Sequence, residues 1–158
     1  MGIWDKLFGK KKPRADSTTP LDSLIAELKN DDINISYPAL QELQRRAGMD
    51  PSLAPRIAGA FASVMLYVSI DGTAHFNNAA VRAIGDLGPQ AESVVPKLVD
   101  LLHMRPTYSP KAGLSPASLS AAMQSVERSI AGLKRDAREA LKKIGTPDAL
   151  AAVETEDT

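Results

Sequence analysis

The strongest constraint on this chain is a segment that occurs twice. Residues 79–89 read AAVRAIGDLGP, and residues 136–147 read DAREALKKIGTP. When the two are aligned on Ala83 and Ala140, small residues, large aliphatic residues and a glycine fall at the same positions, and a proline follows soon after each glycine. A recurring unit of this kind indicates a helical repeat, in which each unit buries its apolar face against its neighbours.

Prolines, glycines and apolar spacing predict six helices. Thr19 is expected to cap the first helix and Asp50 the third, with a proline following each of them. Glycine followed by proline is expected to end the fourth helix at Gly88. The predicted helices cover about 20–29, 36–48, 51–70, 76–87, 94–102 and 119–144, a single further turn begins at Thr146, and the helices pair as 20–48, 51–88 and 90–145 around a 104–116 loop.

Length and composition favour one all-α domain. The chain has 158 residues, aromatic residues make up only 4%, and there is no cysteine. The lack of cysteine excludes disulfides, thiolate metal sites and cysteine nucleophiles, and is compatible with a cytoplasmic protein. Met1–Arg14 has no uninterrupted apolar stretch of the kind that a secretory signal needs. The apolar run 57–70 is shorter than the roughly 20 residues of a membrane-spanning helix.

The repeated segment resembles the second helix of short bacterial HEAT repeats, of the type found in phycobilin-lyase-like proteins. The resemblance extends over 79–102 and 133–153 and is weak over 20–48. In that family the helix usually opens with a valine and an arginine that can bond to an aspartate of the neighbouring turn; here the matching positions are Phe76-Asn77 and Leu133-Lys134. The resemblance implies an α-solenoid with a concave protein-binding face, and it implies no chemistry.

The residues contain no catalytic constellation, and the chain is predicted not to be an enzyme and to need no cofactor. His75 and His103 are the only histidines, and neither is followed three or four residues later by an acidic residue that could complete a metal site. There is no Gly-x-Ser-x-Gly elbow and no glycine-rich phosphate loop.

Polar residues of the two matched helices are the predicted partner-binding residues. The basic side chains at 135, 138 and 142 are three or four residues apart and would share a helix face. They could contact an acidic partner, or they could form a solvated face balanced by Glu127, Asp136 and Glu139. Nucleic acid is not the expected partner, because the formal net charge is zero. The predicted contact residues are Asn78, Arg82, Arg135, Arg138 and Lys142.

The N-terminal segment predicts contact with an anionic membrane surface. Residues 1–14 carry five basic side chains against a single acidic one, Asp5, among several large apolar ones. Each basic residue near such a surface contributes about 1 kcal/mol, which gives weak, reversible attachment. A disordered tail, or a segment folded back on the helices, remains an alternative. The predicted contact residues are Ile3, Trp4, Leu7, Phe8, Lys10, Lys11 and Lys12.

Together these features predict an α-solenoid of about three HEAT-like helix pairs. Residues 1–18 form a flexible basic N-terminal segment and linker, 19–153 form the helical repeat domain, and 154–158 form an acidic tail. The predicted function is a non-enzymatic protein-binding adaptor or scaffold in the cytoplasm, held at the inner face of the membrane by its N-terminus. The alternative is an accessory lyase-like protein that handles a chromophore or another small ligand.

Overall fold

A computed structural model of the protein describes residues 18–65, 74–105 and 115–156. Within these ranges the chain forms helices and no strands, which confirms the predicted all-α class for them. Two short 3-10 segments, Pro51–Leu53 and Gly88–Val94, lead into the third and fifth helices. The α-helices are α1 (Leu21–Leu28), α2 (Ile33–Met49), α3 (Ala54–Val64), α4 (Ala74–Asp86), α5 (Val95–Leu102), α6 (Pro116–Ile144) and α7 (Pro147–Glu156).

Helices that follow one another in sequence pack together. Helix α1 contacts α2, α3 contacts α4, and α5 contacts α6. Further contacts join these pairs: α2 packs on α3 and α4, and α4 packs extensively against α6. Helix α7 lies on α5 and α6. The apolar core is therefore continuous from α1 to α7.

The two copies of the repeated segment occupy equivalent environments. Ala80, Ala83 and Ile84 on α4 are fully buried, and so are their counterparts Ala137 and Leu141 on α6, with Ala140 only 2% exposed. The glycines after the two helices, Gly88 and Gly145, have φ values of +62° and +67°. Glycine adopts this left-handed backbone without strain, so both helices end at a residue suited to stop them.

The beginnings of the first two helices differ from the prediction. Thr19 does not cap α1; Pro20 takes the flanking position, and the Thr19 carbonyl oxygen accepts a 2.6 Å hydrogen bond from Arg46 Nη2. Helix α2 begins at Ile33, three residues before the predicted start, because the Asp32 side chain caps it by accepting from the Asn34 N–H at 2.9 Å. Pro38 therefore lies inside the helix, near its exposed N-terminal end.

Later helices also extend beyond their predicted bounds. Asp50 caps the segment before α3, as predicted, accepting from the Ser52 N–H at 3.1 Å. Helix α6 begins at Pro116 because Ser115 caps it, and its hydroxyl accepts from the Ser118 N–H at 3.2 Å. The single turn predicted after Thr146 is a helix of 10 residues, and 154–156 of the predicted acidic tail belong to it. Residues 66–73 and 106–114 of the predicted third helix and loop lie outside the described ranges.

A buried glutamate fixes the first helix pair. Glu42 on α2 is only 9% exposed, and its carboxylate accepts hydrogen bonds from Arg45 Nε at 2.8 Å and from Arg46 Nε at 2.9 Å. Arg46 also binds the carbonyl of Thr19, which ties α2 to the segment before α1. The Arg45 hydrogen bond is the main cause that lowers the pKa of Glu42 from 4.5 to about 2; burial opposes it and Arg46 adds to it.

Replacing Glu42 with glutamine is expected to lower the free energy of unfolding at neutral pH by about 1–2 kcal/mol, since both guanidinium groups lose a charged acceptor. A carboxylate with a lowered pKa in the folded state stabilises above its unfolded pKa and loses that contribution as the pH falls through its folded pKa. The difference between the two proteins should therefore shrink from pH 5 toward pH 2. Urea unfolding of both proteins at several pH values measures it.

Glu139→Gln is the matched control. Glu139 is an exposed residue whose carboxylate pairs with Lys142 Nζ at 3.3 Å on the same helix. Exposed pairs contribute about 0–1 kcal/mol, so this variant should remain close to the parent protein. A Glu42→Gln destabilisation that stays constant between pH 5 and pH 2 would show that the Glu42 carboxylate does not act through its charge.

Candidate functional site

The candidate site lies where α4 and α6 run side by side. A methyl group at Gly132 on α6 would lie 3.6 Å from Asn78 Nδ2 on α4, and one at Gly85 would lie 2.8 Å from Ala140 Cα. Further along, Lys143 Nζ donates to Asp86 Oδ1 at 2.7 Å. The residue numbers rise together on both helices, so α4 and α6 are parallel and in close contact.

Two guanidinium groups meet one carboxylate between these helices. Arg82 Nε on α4 donates to Asp136 Oδ2 on α6 at 2.9 Å, and Arg135 Nε lies 3.6 Å from Asp136 Oδ1. The Asp136 side chain is 7% exposed, whereas those of Arg82 and Arg135 are 59% and 72% exposed. The acid is thus buried beneath two cations that face solvent.

A second set of polar side chains extends this surface to α2. Gln44 Nε2 donates to Asp86 Oδ2 at 3.5 Å, and the same carboxylate binds Lys143, so the side chains of α2, α4 and α6 form one row. Ile33 and Tyr37, which are 50% and 43% exposed, lie within about 40° of Gln44 around α2. Both exposed side chains therefore lie on the same face of α2 as Gln44, the residue that contacts α4.

The predicted contact residues fall into two groups. Arg82 and Arg135 are exposed and are brought together on Asp136. Lys142 is exposed and pairs with Glu139 within its own helix. Asn78 and Arg138 are half-buried, so a smaller part of each side chain is accessible to a partner than the sequence predicts. The Asn78 Oδ1 atom is buried without a hydrogen-bond donor among the described residues.

Asp136 does pair with Arg135, as the solvated-face alternative expects, but the Asp136 side chain is itself buried. Asp136 is 5% exposed and holds two arginines, because its helix position faces α4 rather than solvent. In the repeat alignment its counterpart is Ala79. An acid where the other copy has alanine is the signal that could have identified it. Gln44, Asp86 and Lys143 were also missed, since only the register of three helices brings them together.

The residues predicted to contact a membrane lie outside the described ranges. These are Ile3, Trp4, Leu7, Phe8 and Lys10–Lys12. In the part of the chain that the structure describes, every helix is too short or too polar to cross a bilayer. The same part holds no group of three or more histidine, cysteine, aspartate or glutamate side chains placed to bind a metal ion.

Comparisons with known proteins give no match: no family model, curated protein or solved structure is similar to this chain.

Proposed function

We propose that this chain is a non-enzymatic HEAT-like adaptor that binds another protein through the surface of α2, α4 and α6. The proposed α-solenoid consists of three helix pairs, α1 with α2, α3 with α4, and α5 with α6. Contacts within each pair and between successive pairs support it, as do the matched burial and glycine geometry of α4 and α6. In such a stack the second helices of successive pairs line one face, which is the usual binding surface.

One observation supports this function above the others: the exposed Arg82 and Arg135 side chains converge on a single buried carboxylate. Arginine is enriched where proteins bind one another, and its planar guanidinium group suits partner carboxylates. The exposed Tyr37 and Ile33 side chains add apolar area on the face of α2 that carries Gln44. An arrangement of this kind offers recognition of a partner.

Charge on this surface favours a protein over a nucleic acid. Asp86 and Glu139 lie on the same helices, each one turn from an arginine, at Arg82 and Arg135 respectively. A nucleic acid presents a negative charge at every phosphate and needs a surface of uniformly positive sign. Alternating positive and negative side chains instead complement a protein segment that carries charges of both signs.

The N-terminal segment supplies the proposed location, in the cytoplasm at the inner face of the membrane. Its basic residues would face anionic lipid at about 1 kcal/mol each, and its four large apolar side chains would enter the headgroup layer. This attachment would hold the helical domain at the membrane while leaving its binding surface free.

The test is affinity capture from native cells with the full-length protein and with a variant that lacks residues 1–18. We expect one stoichiometric protein partner with both, because the proposed surface lies within the helical domain. We also expect the full-length protein, and not the truncated one, to sediment with membranes.

Other outcomes would change the proposal in defined ways. Loss of the partner on truncation would move binding to the N-terminal segment. No partner with either protein would refute the adaptor function. An absorbance change on mixing the protein with a bilin would then support the ligand-handling alternative.

A further inference from the structure

We propose that Arg82 and Arg135 form a receptor for a carboxylate side chain of a protein partner, and that Asp136 is the residue that positions them. This inference rests on the proposed adaptor function and names the chemistry that the partner must present. It concerns three side chains from two helices, α4 and α6.

The geometry leaves the binding ends of both arginines accessible. Arg82 uses Nε to bind Asp136, and the two terminal amino groups of the same guanidinium belong to a side chain that is 59% exposed. Arg135 approaches the other carboxylate oxygen and is more exposed still. Because both Nε atoms lie within 4 Å of one carboxylate, the two guanidinium groups are close enough for one partner side chain to reach both.

The charge balance determines what binds there. Two cations share one buried anion, so the exposed surface carries a net positive charge that Asp136 does not present to solvent. A partner carboxylate can accept from guanidinium donors in a bidentate arrangement, which is among the stronger polar contacts. Asp136 holds the Arg82 guanidinium group by a 2.9 Å hydrogen bond and attracts the Arg135 guanidinium group at 3.6 Å, so part of the entropy cost of ordering them is met before a partner binds.

The residues around Arg82 and Arg135 favour a partner segment whose acidic side chains are spaced apart. Asp86 and Glu139 lie one turn from the arginines and pair with Lys143 and Lys142, so both signs of charge alternate here and a continuous polyanion meets no uniformly positive surface. Tyr37 and Ile33 present apolar area on the face of α2 that carries Gln44, and Gln44 contacts Asp86 on α4. The partner that fits is therefore a segment with an acidic side chain beside apolar ones.

The experiment is an NMR titration of the full-length protein, labelled with nitrogen-15, that follows the arginine Nε–Hε signals. The probe is an end-blocked ten-residue peptide of alanine and leucine with two glutamates four residues apart. We expect saturable shifts of the Arg82 and Arg135 signals, and binding about tenfold weaker when both glutamates are glutamine. Arg56 is the internal control, since it is an exposed arginine paired with the exposed Asp22 on other helices.

Three results would overturn the inference. Shifts at Arg56 equal to those at Arg82 and Arg135 would show unselective charge pairing. Equal or tighter binding of a ten-residue oligothymidylate would show a polyanion surface instead. The absence of saturable shifts at the two arginines would equally refute it.

Variants separate binding from positioning. The double variant Arg82→Gln/Arg135→Gln should weaken peptide binding about tenfold, but it also leaves the buried Asp136 carboxylate without a cation. Arg135→Gln alone keeps the 2.9 Å contact between Arg82 and Asp136, so it should stay folded and still weaken peptide binding. Asp136→Asn keeps both guanidinium groups; a positioning role predicts weaker binding and greater motion of the Arg82 Nε–Hε group. Unchanged affinity in a folded Asp136→Asn protein would refute positioning.

The same variants distinguish this inference from the adaptor function. If the captured partner is retained fully by Arg82→Gln/Arg135→Gln, the receptor is wrong and the adaptor function stands. If the peptide binds as expected and no partner is captured from cells, the receptor stands and the adaptor function is wrong.

Discussion

Replacing Ala83 or Ala140 with aspartate is expected to abolish cooperative folding. Ala83 on α4 is fully buried and Ala140 on α6 is 2% exposed, so each new carboxylate would enter the apolar contact between helix pairs without a partner. Burial of an unpaired charge costs about 4 kcal/mol or more, which is a large fraction of the stability of a small domain. Thermal unfolding followed by circular dichroism measures the effect.

Ala131→Asp is the matched control for Ala140→Asp. It makes the same substitution on the same helix, at an exposed position. Its cost should be about 0.5 kcal/mol, which is the lower helix propensity of aspartate. A normal thermal transition in Ala83→Asp or Ala140→Asp would show that α4 and α6 do not pack through the repeated segment.

The contact between α4 and α6 is the part of the fold that the sequence predicts best. The aligned alanines, aliphatic residues and glycines indicate burial and helix ends because each acts locally: alanine permits close approach, and glycine permits a positive φ. The structure places Ala83 and Ala140 in the core and gives Gly88 and Gly145 the left-handed backbone.

Helix starts were harder to predict because capping groups compete. Asn30, Asp31 and Asp32 indicate a break in the chain, and any of them is a good cap. Pro38 also resembles the first residue of a helix, and this favours the predicted start near residue 36. The choice of Asp32 depends on how α2 packs against α1, and local sequence does not contain that information.

The candidate site, too, could be predicted from the sequence only in part. Exposed arginines on two predicted helices could be identified, and Arg82 and Arg135 were among them. The sequence could not show that these two arginines meet on Asp136. The contact between Arg82 and Asp136 joins residues 54 positions apart and depends on the register of α4 against α6. The row of Gln44, Asp86 and Lys143 requires three helices in register and was equally inaccessible.

Replacing Gly85 with alanine is expected to destabilise the protein, although alanine is the better helix former. The new methyl group would lie 2.8 Å from Ala140 Cα, a backbone atom that cannot move without shifting α6. Overpacking of this kind costs about 1–3 kcal/mol, and the gain in helix propensity returns about 1 kcal/mol. The midpoint of thermal unfolding should therefore fall by up to about 8 °C.

Gly59→Ala is expected to stabilise the protein, in contrast to Gly85→Ala. Gly59 lies within α3, is exposed, and has no atom within 4 Å of the position of the new methyl group. Only the higher helix propensity of alanine then acts, so the free energy of unfolding should rise by about 0.5–1 kcal/mol. If both variants raised the midpoint, α4 and α6 would have to lie further apart than described. Arg82 and Arg135 would then no longer share Asp136, so this pair of melts also tests the geometry on which the proposed carboxylate receptor depends.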